Sequence, residues 1–222
     1  TFLAMKISFI NEIANLCDLF GADVHDVARG MGMDNRIGSK FLHAGPGFGG
    51  SCFPKDVRAL AALARESGYE MKLAETVLDV NEQQRTAAFE RIKRLVPDLK
   101  DKTITILGLS FKPETDDLRE APSLKIIAEL LTAGARVRAY DPVAMEAARN
   151  LMTNVEFCED EYDAARGSDA LVVVTEWNQF RSLDLGRLKS AMKELNLIDL
   201  RNIYEPEDVK DAGFEYVAMG RR

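Results

Sequence analysis

The stretch ALVVVTEW (170–177) decides the fold. It is apolar, rich in β-branched residues and free of polar alternation, which suits a strand hidden on both faces. Such strands belong to parallel sheets covered by helices. Outward from it the pattern repeats. KTITIL (102–107), ARVRAYDP (135–142) and VEFC (155–158) read as strands before it, LNLIDL (195–200) and FEYVAM (214–219) as strands after it. Helical composition fills residues 123–132, stopped by Gly134, and residues 143–151. Strands alternating with helices predict a doubly wound, mostly parallel, Rossmann-like α/β domain over residues 99–222.

Upstream of Pro97 the period is helical. Phe2, Phe9, Ile10, Ile13, Leu16 and Phe20 fall at three- and four-residue steps and predict the apolar face of a first helix ending at Gly21. Asp23 can cap a short helix over 24–29 that ends at Gly30. Residues 31–51 carry six glycines and one proline, which excludes regular structure. Pro54 suits the first turn of a helix over 55–66. A longer helix is expected over 73–95, with Val77, Val80, Gln84, Ala87, Ile92 and Leu95 on one side. Residues 1–98 therefore read as an all-helical domain. They open in mid-helix at Thr1, with no initiator Met, N-cap or signal peptide, so a preceding segment is expected.

Composition excludes several functions. The chain is 46% hydrophobic, too apolar for a disordered chain, and no run approaches the ~20 apolar residues of a membrane span. Its 29 basic and 36 acidic side chains give a net charge of −7 without a Lys/Arg block, which argues against nucleic acid or an anionic membrane as partner. Cys17, Cys52 and Cys158 form no disulfide pattern, so a reducing, cytoplasmic location is expected. His25 and His43 lack metal-ligand spacing. Cys17 is expected in the core, Cys158 inert at a strand end, and His25 on a helix surface.

Residues 45–56, GPGFGGSCFPKD, concentrate the chemistry. Glycines allow close backbone approach and can aim amides at an anion. Cys52 falls at a helix start, where the dipole and Lys55 favour thiolate. Asp56 follows one turn later, able to orient a water. A small buried cysteine in a glycine turn, with Lys55 and Asp56 as solvated charges, explains the same residues. KTITIL with GLSF, and Asp141 after the second strand, imitate a dinucleotide-binding opening, but the GxGxxG glycines are absent and no NAD is assigned to this sheet.

ISFINEIANLC, DNRIGSKF, GFGGSCFPKD, DVNEQQR, ILGLSFKPETDDLREAPS, AYDP and VVVTEWNQF occur in the order seen in the nucleotide-sugar dehydrogenases, the UDP-glucose/GDP-mannose dehydrogenase family, which this chain resembles over nearly its whole length. The resemblance implies an oxidoreductase that takes a sugar alcohol to a carboxylate with two NAD. Cys52 would be the nucleophile, through a thiohemiacetal and a thioester, and Asp56 its partner in the water chemistry. It implies substrate contacts at Phe41, Leu42, Phe48, Gly49, Phe111, Lys112 and Arg201, and at Arg36 reaching the neighbouring subunit's site. Arg119 and Lys55 would face NAD. SCFPKD and DNRIG look most like the branch acting on UDP-glucose; GDP-mannose, UDP-N-acetyl sugars, or a non-catalytic UDP-sugar-binding and dimerisation module are the alternatives. The resemblance also places an NAD-binding domain, and a lysine and asparagine that stabilise oxygen charge, before Thr1. These 222 residues alone are accordingly expected not to turn over, and to form a homodimer through the helical part.

Overall fold

The computed structural model describes residues 1–221. Four helices come first: α1 (Phe2–Phe20), α2 (Val24–Gly32), α3 (Cys52–Glu66) and α4 (Lys72–Leu95). The rest alternates: β1 (Thr103–Leu107), α5 (Pro122–Thr132), β2 (Arg136–Tyr140), α6 (Met145–Leu151), β3 (Val155–Phe157), α7 (Glu161–Ala165), β4 (Ala170–Val173), then α8 (Asn178–Arg181) and α9 (Leu185–Ala191), β5 (Asn196–Asp199), α10 (Pro206–Asp211) and β6 (Glu215–Ala218). The six strands order as β3-β2-β1-β4-β5-β6 and every neighbouring pair is parallel. The order reverses between β1 and β4, which is where open sheets of this type leave a crevice at the strands' carboxyl ends.

β4 behaves as its composition demands. Ala170 through Thr175 are fully buried, with Ala170 and Val172 in one core and Leu171 and Val173 in the other. The first core also takes Ile10, Ala14 and Cys17 of α1 and Ala88 and Ile92 of α4, so the helical half and the sheet half share one apolar interior. A buried ion pair between α4 and α1 lies at the same seam and reaches across it to the β6 end of the sheet. Arg91 Nη2 lies 2.6 Å from Asp18 Oδ2, and Arg91 Nε donates to the Ala218 carbonyl at 3.3 Å. Gly220 is packed so closely on α1 that a Cβ there would meet the Ala14 backbone at 2.6 Å.

Three local readings differ from expectation. α2 runs two residues past Gly30, because a glycine inside a short helix costs only about 1 kcal/mol. α3 starts at Cys52, so Pro54 is its third residue, still within the first turn where its missing N–H has no partner to lose. The largest difference is α1. Its aromatic stripe points outward, with Phe2, Phe9, Leu16 and Phe20 exposed, while Ala4, Ser8, Ile10, Asn11 and Ala14 face in. Small and polar residues let neighbouring backbone approach this helix, as the site requires. Among the described residues no helix is long and apolar enough to cross a membrane.

Candidate active site

At the carboxyl ends of β1, β4 and β5 lies a cavity of about 430 Å³, walled on the sheet side by Phe111, Lys112, Glu176 and Arg201. The opposite wall is the segment between α2 and α3, contributing Lys40, Phe41, His43, Phe48 and Gly49, with Phe53 from α3. The rings are ordered against one another. Phe53 meets Phe41 edge-on at 6.1 Å and Phe48 at 5.9 Å. Phe41 takes a left-handed backbone (φ 66°), a conformation that costs a non-glycine residue of order 1 kcal/mol and is kept only where its surroundings impose it.

The glycine loop is buried and held from below by polar side chains of α1 and α4. Asn11 Oδ1 accepts from Gly45 N (2.9 Å), and Gln84 Nε2 donates to Gly45 O (2.8 Å). Asn81 brackets Phe48, accepting from its amide at 2.7 Å and donating to its carbonyl at 3.1 Å. Arg85 Nη2 donates to the carbonyls of Phe48 (3.1 Å) and Glu120 (2.8 Å). Gly50 N donates to Arg119 O at 2.7 Å. The amides of Gly45, Phe48 and Gly50 are thus spent inside the protein, contrary to the expectation that this loop aims its N–H groups at an anion. Positive charge at the cavity comes from side chains instead.

Arg201 is the best anchored of these. Nε donates to Val174 O (2.7 Å) and faces Glu176 Oε2 at 3.0 Å, and Nη2 donates to Phe111 O at 3.2 Å. Its fork is therefore fixed before any ligand arrives. Lys112 Nζ stands 5.4 Å from the Phe111 ring centroid, within cation–π range.

Cys52 is exposed and is the first residue of α3. Gly49 and Phe53, on either side of it in sequence, line the cavity. Its Sγ is 3.7 Å from Ser51 Oγ. The Lys55 ammonium turns to Asp56 (3.5 Å), and both stay exposed. Arg119 is exposed and paired with Asp117 through Nε (2.9 Å) and Nη2 (2.8 Å). That hydrogen-bonded carboxylate, and to a smaller degree the Cys52 sulfur, hold its guanidinium above the ordinary value. Burial in the core pushes the thiols of Cys17 and Cys158 up. Burial likewise holds half-buried His25 below the usual histidine range.

Of the residues singled out in the sequence, Phe41, Phe48, Gly49, Phe111, Lys112 and Arg201 meet in the cavity wall. Cys52 and Lys55 lie on the first turn of α3 and Asp56 begins its second, with the Arg119 carbonyl accepting from the Gly50 amide just before Cys52. Leu42 does not join them: it is 3% exposed and packs in the core. Arg36 lies on the outer surface, its guanidinium bound to Asp34 at 2.6 Å. Sequence reasoning missed Lys40, Phe53 and Glu176 as wall residues, although Glu176 follows the strongest strand at its carboxyl end.

Residues 1–83 match the family model described as UDP-glucose/GDP-mannose dehydrogenase family, central domain, and residues 105–206 match that family's UDP binding domain. The chain belongs to the UDP-glucose/GDP-mannose dehydrogenase family. Among its relatives, the UDP-glucose 6-dehydrogenase of Rhizobium meliloti (strain 1021) is 52% identical over 99% of this chain and 51% of its own length. UDP-glucose 6-dehydrogenase TuaD of Bacillus subtilis (strain 168) is 47% identical over 99% of this chain and 48% of its length. The chain thus spans about half the length of the curated relatives it matches. A solved UDP-glucose dehydrogenase from Pyrobaculum islandicum superposes with a TM-score of 0.89 at 35% identity, covering all of this chain and 49% of that one. A UDP-D-ManNAc dehydrogenase from Pyrococcus horikoshii superposes at 0.82 and 27% identity, over 99% of this chain and 49% of that one.

Proposed function

We propose that the chain is the sugar-binding, thiol-bearing part of a UDP-glucose 6-dehydrogenase, oxidising UDP-glucose to UDP-glucuronate with two NAD. One observation carries the reading: an exposed cysteine opens α3 at the rim of a cavity with cationic and aromatic walls, sited where the strand order reverses. Residues 1–98 form the dimerisation and cysteine-loop domain and residues 99–222 the UDP-sugar domain. Two chains pair through the outward stripe of α1, and Arg36, free of its own cavity, reaches the neighbour's. With three unpaired cysteines the protein works in the cytoplasm.

In this mechanism Arg201 and Lys112 meet the diphosphate, and Phe41, Phe48 and Phe111 cover the apolar faces of base and sugar. The Cys52 thiolate adds to the aldehyde carbon, giving a thiohemiacetal with one C–S bond. Once that carbon is oxidised to the thioester, water assisted by Asp56 adds to it, the C–S bond breaks, and carboxylate and thiol are released. Exposed Arg119 and Lys55, at the cysteine rim, have the charge and access to hold the phosphates of NAD; bound there, NAD supplies the oxidations. Thermal-shift titrations with UDP-glucose, GDP-mannose and UDP-N-acetylmannosamine test the assignment. UDP-glucose is expected to give the largest stabilisation, and a larger shift with either of the others overturns the choice of substrate.

A further inference from the structure

Asp141 follows β2, where a dinucleotide-binding sheet keeps the acid that grips a ribose, yet both of its oxygens are already taken. It is fully buried. Oδ2 accepts from the amides of Leu109 (2.7 Å) and Ser110 (3.1 Å) and from the Trp177 indole (3.2 Å), with the Ser110 hydroxyl oxygen 3.2 Å away. Oδ1 accepts from the amides of Val143 (3.0 Å) and Ala144 (2.8 Å). The turn it grips is pinned elsewhere too. Thr175 Oγ1 donates to Ser110 O (2.6 Å), Ser110 Oγ to Lys112 O (2.9 Å), and Phe111 N to Asp117 O (3.2 Å). Gly108, at φ 91°, is pressed on Thr175 so tightly that a Cβ would come within 2.4 Å of that side chain. The gap through which a pyrophosphate would approach the end of β1 is filled.

We propose that Asp141 is a positioning residue for the nucleotide-sugar cavity: it fixes Leu109 and Ser110, and through them Phe111 and Lys112, in the wall, while this sheet takes no dinucleotide of its own. The inference rests on the reading of that cavity given above. A carboxylate is suited to the task because all its hydrogen-bonding sites accept, and every partner here donates. Asparagine in its place turns an NH₂ toward at least one of those donors and leaves a buried N–H unmet.

The test is calorimetric titration of wild type and Asp141→Asn with UDP and, separately, with NAD, alongside the emission of Trp177, the only tryptophan. Asp141→Asn is expected to bind UDP about tenfold or more weakly, with altered Trp177 emission and NAD binding unchanged. A merely destabilised variant would instead show fewer sites at wild-type affinity. Equal UDP affinity in both proteins overturns the inference alone, as does loss of NAD binding with UDP binding kept. A wild type that fails to bind UDP overturns the reading of the cavity and this inference with it. Should Asp141→Asn not fold, Ser110→Ala decides, since it removes only the hydroxyl that lies against Asp141 and donates to the Lys112 carbonyl. UDP binding weakened about fivefold supports the inference, and unchanged affinity refutes it.

Discussion

Gly49→Ala is the sharpest perturbation the structure offers. A methyl group on Gly49 would stand 2.4 Å from the Glu120 carbonyl oxygen, 2.9 Å from its carbon and 3.1 Å from Phe111 Cβ. Ordinary contact between such atoms begins near 3.4 Å, so loop and strap must part by about an ångström. Neither side yields easily. Arg85 ties the Phe48 and Glu120 carbonyls together, Gly50 N is bound to Arg119 O, and Glu120 itself holds a left-handed φ of 54°. Overpacking of this kind costs about 1–3 kcal/mol of stability. An ångström of displacement between Cys52 and a bound sugar costs about 100-fold in rate. Denaturant melts and UDP-glucose-dependent NADH formation by the full-length enzyme measure the two effects. Gly30→Ala is the control: it lies inside α2 with nothing within 4 Å of the added methyl and is expected to stabilise by up to about 1 kcal/mol. If the two alanines prove equally harmless, the steric account of the cysteine loop is wrong.

Cys52→Ser in the full-length enzyme is expected to lose about 10³-fold or more in turnover with UDP affinity unchanged; appreciable residual oxidation to the carboxylate would remove the covalent route. Glu120 is held below the usual carboxylate range by its hydrogen bond from Arg58, with the charges of Arg58 and Arg85 adding. Its contribution to stability is therefore present above about pH 4.3, the ordinary glutamate value, and drains away as pH falls through the lower folded value. Melts from pH 7 to 3 should show wild type losing more stability in acid than Glu120→Gln, and parallel curves would refute the coupling. Phe20→Glu places a charge on the outward stripe of α1, where Phe20 is 82% exposed, and is expected to convert a dimer to a monomer in light scattering at micromolar concentration. A wild type that is already monomeric there contradicts the proposed pairing.

The parallel sheet was legible because β4 is apolar on both faces, β1 is β-branched, and glycines mark where helices stop. The helical half was legible in its boundaries more than in its orientation. Gln84 falls with the apolar side by spacing, but a polar residue on a helix otherwise reads as a solvent face, and Asn81, Arg85 and Arg91 of α4 are all buried, the first two against the glycine loop. Nothing local distinguishes them from surface residues; what they bind lies more than thirty positions away. The same holds for α1, whose phenylalanines fit a core-facing stripe by spacing alone, while its inner face carries Ala14 packed on the Gly220 backbone. Lys112 was findable because it follows the carboxyl end of β1, at the sheet's reversal, whereas Phe111 and Arg201 came with the family resemblance. Glu176 follows β4 in an equivalent position and lines the same cavity.

The seam between the two halves has a consequence for selectivity. Arg91 to the Ala218 carbonyl and the Gly220 amide to Asp18 bridge it beside a continuous apolar interior, so packing ties the two walls of the cleft together. A cleft whose walls are tied together this way sorts its guests as a mould does, by contour and charge.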